Sequence, residues 1–237
     1  MRVEGTTRRV GLIGGIAPES TIQYYRLILA GYRSRRPGGG YPSLLINSID
    51  LERMLAAVTA GDRSALVDYL VDEIKSLERA GAQFGAMLSN TPHLVFDEIQ
   101  ARSAIPLVSL VAATRDAAKR LGLARLGLFG TRFTMEARFY AEALSPVGIE
   151  VVAPQPDERA YIHEKYMTEL VSAVAKDETR RGLLAIAEAL REREAIDGLI
   201  LGGTELSLIL GDLKATPVPF LDTARIHAAA IVERLLA

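Results

Sequence analysis

The chain has 237 residues, 28 of them basic and 29 acidic, for a formal net charge of −1. That length suits one large domain or two small ones and can bury a sizeable core without disulfides or structural metals. Neither charge is in excess, which argues against a nucleic-acid or anionic-membrane partner, and the absence of any cysteine rules out disulfides, thiolate metal sites and thiol nucleophiles.

Taken in chain order, the polar and basic residues 1–9 precede a first apolar run at 10–13, read as a strand. No run of about 18 apolar residues follows anywhere, so neither a signal peptide nor a membrane span is expected, and the cytoplasm is the expected location. The first strand leads into Gly14-Gly15-Ile16-Ala17-Pro18-Glu19-Ser20-Thr21, where glycines allow close approach and a helix start offers free amides to an anion. Gly15 and Ser20 are the candidate ligand contacts there, although a tight turn with a helix cap explains the same residues. The loop has neither Gly-x-Gly-x-x-Gly nor Gly-Lys-Ser/Thr, so nucleotide binding has little support. Arg33, Arg35 and Arg36 beside Pro37-Gly38-Gly39-Gly40 read as a solvated helix end.

A second strand is predicted over 43–49 and an amphipathic helix over 64–79, with Leu66, Val67, Leu70, Val71, Ile74 and Leu77 on one face. A third strand, 84–88, ends in Ser89-Asn90-Thr91-Pro92-His93, whose Asn, Thr and backbone amides suit a carboxylate and whose Pro92 suits a first helical turn. Strands at 107–109 and 126–129 follow, the latter leading to Thr131-Arg132-Phe133-Thr134. The Arg132 fork could pair with a carboxylate, or be a plain surface arginine. Strands at 151–152, 198–201 and 218–221 complete the set. The seventh precedes Gly202-Gly203-Thr204-Glu205, in which Thr204 can cap a helix or reach a ligand and Glu205 can stay ionised or move a proton. The three histidines, His93, His163 and His227, have no metal-ligand spacing, so no metal is expected.

The pattern repeats. Residues 10–14 resemble 126–130, 86–91 resemble 199–204, and 105–108 resemble 218–221, at offsets of 116, 113 and 113 residues. Alternating strands and helices imply parallel sheets covered by helices. Three ordered matches therefore predict two similar α/β lobes related by a pseudo-two-fold, residues 1–122 and 123–237 with a C-terminal helix able to cross over, and a boundary near 121–125. Ligands of open parallel sheets bind beyond the carboxyl ends of the strands, so the expected active-site cleft lies between the lobes, walled by the corresponding loops.

These residues resemble one family throughout. Residues 11–25, GLIGGIAPESTIQYY, are similar to the opening of aspartate/glutamate racemases. Asn90-Thr91-x-His93 resembles the loop after that family's first catalytic cysteine, and Gly203-Thr204-Glu205-Leu206 its second motif, Cys-Thr-Glu-Leu. Gly130-Thr131-Arg132-Phe133-Thr134-Met135, Asp157-Glu158-Arg159 and Leu221-Asp222-Thr223-x-x-Ile226-His227 fit the branch with broad aspartate/glutamate specificity. The resemblance implies a cofactor-independent mechanism without pyridoxal phosphate. Two thiols, one from each lobe, exchange the α-proton of a small carboxylate or amino-acid substrate while loop amides, Asn and Thr hold its carboxylates. It also implies, by analogy, a homodimer.

Here the two cysteine positions align with Ser89 and Gly203. A serine hydroxyl is a far poorer base than a thiolate, and glycine transfers no proton, so two-thiol racemisation is not open to this sequence. A second departure is Lys165-Tyr166, where family members carry an apolar pair between Ile162 and Glu169-Leu170. A desolvated Lys165 would have a lowered pKa and could carry a proton, and Tyr166 could donate to an oxyanion, unless Lys165 simply points to solvent. The expected site is therefore Ser89, Lys165, Tyr166 and Glu205 as proton carriers, with Gly15, Ser20, Asn90, Thr91, Arg132, Gly203 and Thr204 binding substrate. The expected activity is isomerisation, decarboxylation or elimination through a carboxylate-stabilised carbanion. The alternatives are a non-catalytic carboxylate-binding homologue and a Cys-replaced variant of an amino-acid racemase.

Overall fold

A computed structural model describes residues 8–211 and 216–237. Contacts divide the chain into two units, one comprising 1–109 with 227–237 and the other 110–226.

In the first unit β1 (Val10–Gly14) leads to α1 (Pro18–Arg35), β2 (Leu44–Ser48), α2 (Leu51–Thr59), α3 (Arg63–Arg79), β3 (Phe84–Met87), α4 (Phe96–Arg102) and β4 (Leu107–Val108). The four strands form a parallel sheet in the order β2-β1-β3-β4. All five residues of β1 are buried, as expected of an inner parallel strand covered on both faces, whereas edge strand β2 is only partly buried. Helix α3 starts where Asp62 accepts the Ala65 amide at 2.9 Å. It buries the predicted stripe of Leu66, Val67, Leu70, Val71, Ile74 and Leu77 against Ile13, Met54, Met87 and Ile99.

The second unit runs α5 (Leu110–Arg120), β5 (Arg125–Gly130), α6 (Arg132–Glu136), α7 (Phe139–Leu144), β6 (Glu150–Val152), α8 (Pro156–Thr168), α9 (Asp177–Glu194), β7 (Gly198–Gly202), α10 (Leu206–Leu210) and β8 (Phe220–Asp222). Helix α11 (Thr223–Leu236) then begins in this unit and continues into the first. Its sheet is again parallel, in the order β6-β5-β7-β8, the same permutation as in the first unit. Side chains alternate across it. Leu199 and Leu201 join one core with Phe129, Ile162, Leu170 and Leu183, while Ile200 joins Leu126, Leu128, Leu144 and Leu221 in the other.

The eight strands stand within a residue or two of the predicted runs. The division differs from the one expected at 121–125. Helix α5 groups with the second unit because Leu110, Val111, Ala117 and Ala118 pack into the core that holds Leu126 and Ile200. Among the described residues no helix is long and apolar enough to cross a membrane.

Candidate functional site

In each sheet the connection reverses direction between the two central strands, β1 and β3 in one unit and β5 and β7 in the other. The crevice beyond their carboxyl ends at such a switch point is the ordinary ligand position of an open parallel sheet. The loops there are the four singled out from the sequence: 14–17 and 88–91 in the first unit, 131–132 and 203–205 in the second.

The turn after β7 carries the densest chemistry. Glu205 is 3% exposed and Thr204 5%. Thr204 Oγ1 donates to Glu205 Oε2 at 2.8 Å, and Tyr166 Oη donates to the same oxygen. Tyr166 comes from α8, where it follows Ile162 by one turn on the buried side of that helix, and it shares a core with Leu170 of the 3-10 turn that follows. Burial, then the Glu205 charge, pushes its phenol well above the usual tyrosine range, so Tyr166 is a neutral donor. Its ring lies over Gly203: a β-carbon built there would stand 2.4 Å from Cε2 and 2.7 Å from Oη.

Across the switch point, Thr131 caps α6 by accepting the Thr134 amide at 3.3 Å. The next residue, Arg132, is exposed, and its amide donates to His163 Nδ1 at 3.2 Å. His163 lies three residues before Tyr166, on the same side of α8. Its pKa is lowered, chiefly by partial burial and then by the Arg132 charge, so the ring accepts as a neutral imidazole. The Arg132 guanidinium makes no ion pair among the described residues.

In the first unit, Ser89 is half-buried and Asn90 3% exposed. The Ser89 carbonyl accepts His93 Nδ1–H at 2.9 Å, and the Asn90 carbonyl accepts the His93 amide at 2.9 Å. Thr91, half-buried, opens the short 3-10 turn Thr91–Val95. Behind it His93 stacks on Phe96 and meets His227 edge-on. His227 Nε2–H donates to the Val108 carbonyl at 2.9 Å, which fixes the tautomer, so Tyr24 Oη donates to Nδ1 at 3.0 Å. Burial lowers both imidazoles, His93 to about 3 and His227 to about 4.

A family model described as Asp/Glu/Hydantoin racemase matches residues 13–231. The chain belongs to this racemase family. It is 23% identical over 234 residues, 96% of this chain and 98% of the relative, to the broad specificity amino-acid racemase RacX of Bacillus subtilis. Among solved structures it resembles a Yersinia pestis protein proposed as an Asp/Glu racemase, with TM-score 0.89, 32% identity, and coverage of 97% of this chain and 100% of that one. An aspartate racemase homologue from Pyrococcus horikoshii gives TM-score 0.84 and 34% identity, with the same coverage. The matching two-lobe racemase architecture agrees with the fold expected from the repeats.

Within this racemase-family chain the structure brings Tyr166, Gly203, Thr204 and Glu205 together. Lys165 does not join them. Its ammonium sits 3.2 Å from Glu164 and 3.6 Å from Glu169, over the Tyr161 ring, and a hydrogen bond to Glu164 is the chief reason its pKa is raised. The lowered pKa expected of it is therefore corrected: two carboxylates hold the charge that desolvation would have removed. The Gly15 amide is occupied, donating to Thr21 Oγ1 at 2.9 Å. Gly15 serves the backbone, at φ +81°, where a β-carbon would meet the Ile49 carbonyl at 2.6 Å. Ser20 is buried, 2% exposed, in the first turn of α1.

The residue reading missed three features. Ala17 sits at φ +61° just before α1, a costly conformation for a residue with a β-carbon and typical of loops held for function. His163 bonds the Arg132 loop, which no spacing rule suggested. Ser207 Oγ, two residues beyond Glu205, is buried without a hydrogen-bond partner among the described residues. No three His, Asp or Glu side chains among the described residues gather as a metal would require.

Proposed function

We propose that this protein is an amino-acid racemase-type enzyme acting at the α-carbon of a small amino or dicarboxylic acid, by proton transfer through a carboxylate-stabilised carbanion and without thiols. Family membership supports racemase-type chemistry, and the resemblance to the broad specificity amino-acid racemase RacX supports an amino-acid substrate. One observation carries the reading. At the switch point after β7, where a side chain from residue 203 is absent, a buried carboxylate holds two hydroxyl donors, Thr204 and Tyr166. A buried carboxylate bonded to a phenol whose pKa is raised supports an acid–base role, because groups so perturbed gather at functional sites. The same packing argues against simple replacement of a cysteine at 203, because that would leave a void where the Tyr166 ring stands.

Asn90, Thr91, Arg132 and Thr204 are the carboxylate-binding candidates under this reading, and Ser89, Tyr166 and Glu205 the proton carriers. A cytoplasmic homodimer completes it, the oligomer being tested by light scattering. The decisive assay follows α-proton exchange in deuterated water across a panel of amino and dicarboxylic acids. Exchange of at least one substrate is expected. Thermal stabilisation by dicarboxylates with no exchange would replace the enzyme with a carboxylate-binding homologue, and neither effect would overturn both readings.

A further inference from the structure

Position 203 and the ring of Tyr166 share one volume. A β-carbon on Gly203 would lie 2.4 Å from Cε2, 2.7 Å from Oη and 2.9 Å from Cζ of Tyr166. Glycine is not demanded by the backbone here, since Gly203 is absent from the residues with positive φ. It is demanded by the ring. The ring has no easy retreat: it packs in the core with Ile162, Leu170 and Leu201, and its oxygen is held by Glu205. The phenolic oxygen thus stands roughly where the outer atom of a side chain at 203 would stand.

We propose that Tyr166 takes the place of a side chain at position 203, and that its phenol, coupled to the Glu205 carboxylate, is the proton carrier of this turn. The carrier role rests on the function proposed above; the shared volume does not. In the forward step the phenolic oxygen takes the substrate α-proton while its own proton passes to Glu205 Oε2. The electron pair of the broken C–H bond moves into the substrate carboxylate as an enediolate. Glu205 ends protonated, the phenol is neutral before and after, and reversal returns the proton to carbon. A route that never requires free phenolate suits a tyrosine held neutral by burial and a neighbouring carboxylate. Thr204, donating to the same carboxylate oxygen at 2.8 Å, keeps Glu205 aimed at the phenol.

The test compares Gly203→Cys, Tyr166→Val, the double variant and Tyr166→Phe, each read by thermal melting and by α-deuterium exchange with the panel above. Gly203→Cys alone should melt about 5 °C lower, the ordinary effect of overpacking in a chain this long. The double variant should recover most of that loss, melting well above the level the two single shifts predict together. If Tyr166→Val folds only when Gly203→Cys accompanies it, that rescue is the same result. Additive shifts overturn the shared volume. Tyr166→Phe keeps the ring but removes one donor from the buried Glu205, so it should melt a few degrees below the parent, while exchange falls at least about 100-fold. Exchange at the parental rate in Tyr166→Phe overturns the carrier role. If the parent itself exchanges no α-proton, the proposed function and the carrier role fall together, while the melting comparison still judges the shared volume on its own.

Discussion

Replacing Gly15 by alanine would test whether the turn after β1 is held by backbone contact or only by local conformation. Two costs act there. At φ +81° a residue with a β-carbon is disfavoured by about 1–2 kcal/mol. The new carbon would also lie 2.6 Å from the Ile49 carbonyl oxygen and 2.7 Å from its nitrogen. That backbone cannot easily yield, because the Ile49 amide donates to the Gly14 carbonyl at 3.0 Å beside the β1–β2 pairing. Overpacking against a fixed wall costs about 1–3 kcal/mol. Together the effects come to about 3 kcal/mol, or roughly 6–12 °C in Tm at the 2–4 °C per kcal/mol typical of this size. Gly38 supplies the control within the same unit: its φ is +78°, but a β-carbon there meets nothing within 4 Å. Gly38→Ala should therefore cost only the conformational part, roughly 2–8 °C and less than Gly15→Ala. Calorimetry on both variants separates clash from torsion. Equal shifts would show that the Ile49 contact does not constrain the turn, and the reasoning would fail.

Acid should weaken the fold through His93 and His227. Both are neutral in the native state, with pKa about 3 and about 4, whereas in the unfolded chain they protonate near the ordinary value of about 6.5. Protons therefore favour unfolding as pH falls below about 6.5, and the loss continues down to the native pKa values. At pH 5 each histidine should have cost about 2 kcal/mol, measurable by urea titration at pH 7 and 5; His227→Gln should flatten the slope. Asp197→Ala should destabilise by about 1–3 kcal/mol, because its carboxylate accepts the Ala124 and Arg125 amides at 2.7 and 3.0 Å and both would lose their partner. Under the proposed function, Arg132→Ala should raise KM for dicarboxylates more than it lowers kcat, since an exposed guanidinium would meet a carboxylate mainly as a charge; Lys165→Met should change neither more than about twofold. A collapse of kcat in Lys165→Met would restore it as a proton carrier.

The sheets were legible because inner parallel strands are buried on both faces and so read as unbroken apolar runs, as Gly198–Gly202 does. Repeat offsets exposed the duplicated strand order, since the same permutation places equivalent turns after equivalent strands. A boundary near 121–125 leaves α5 with the first unit, whereas its contacts group it with the second, because an apolar face shows that a helix packs, not against which sheet. The site was half legible. Glu205 and Thr204 follow a strand end, a position that sequence reveals. Spacing also sets Tyr166 one turn after Ile162 on the buried side of α8 and leaves Lys165 beside it, a distinction available from helical periodicity alone. What spacing could not give was the Tyr166–Gly203 contact, which depends on how far α8 packs from β7, or the Ala17 torsion, which a residue with a β-carbon conceals.

The composition of the first unit bears on how the protein is made. Its core includes His227, whose ring joins Tyr24 near the beginning of the chain to Val108, and residues 227–237 belong with 1–109. During synthesis residues up to 109 emerge well before 227–237, so the first unit finishes its interior only after 110–226, which is contiguous. Newly made chains would wait with one unit organised and the other open, and loss of residues 227–237 should spoil the unit whose other residues were translated earlier.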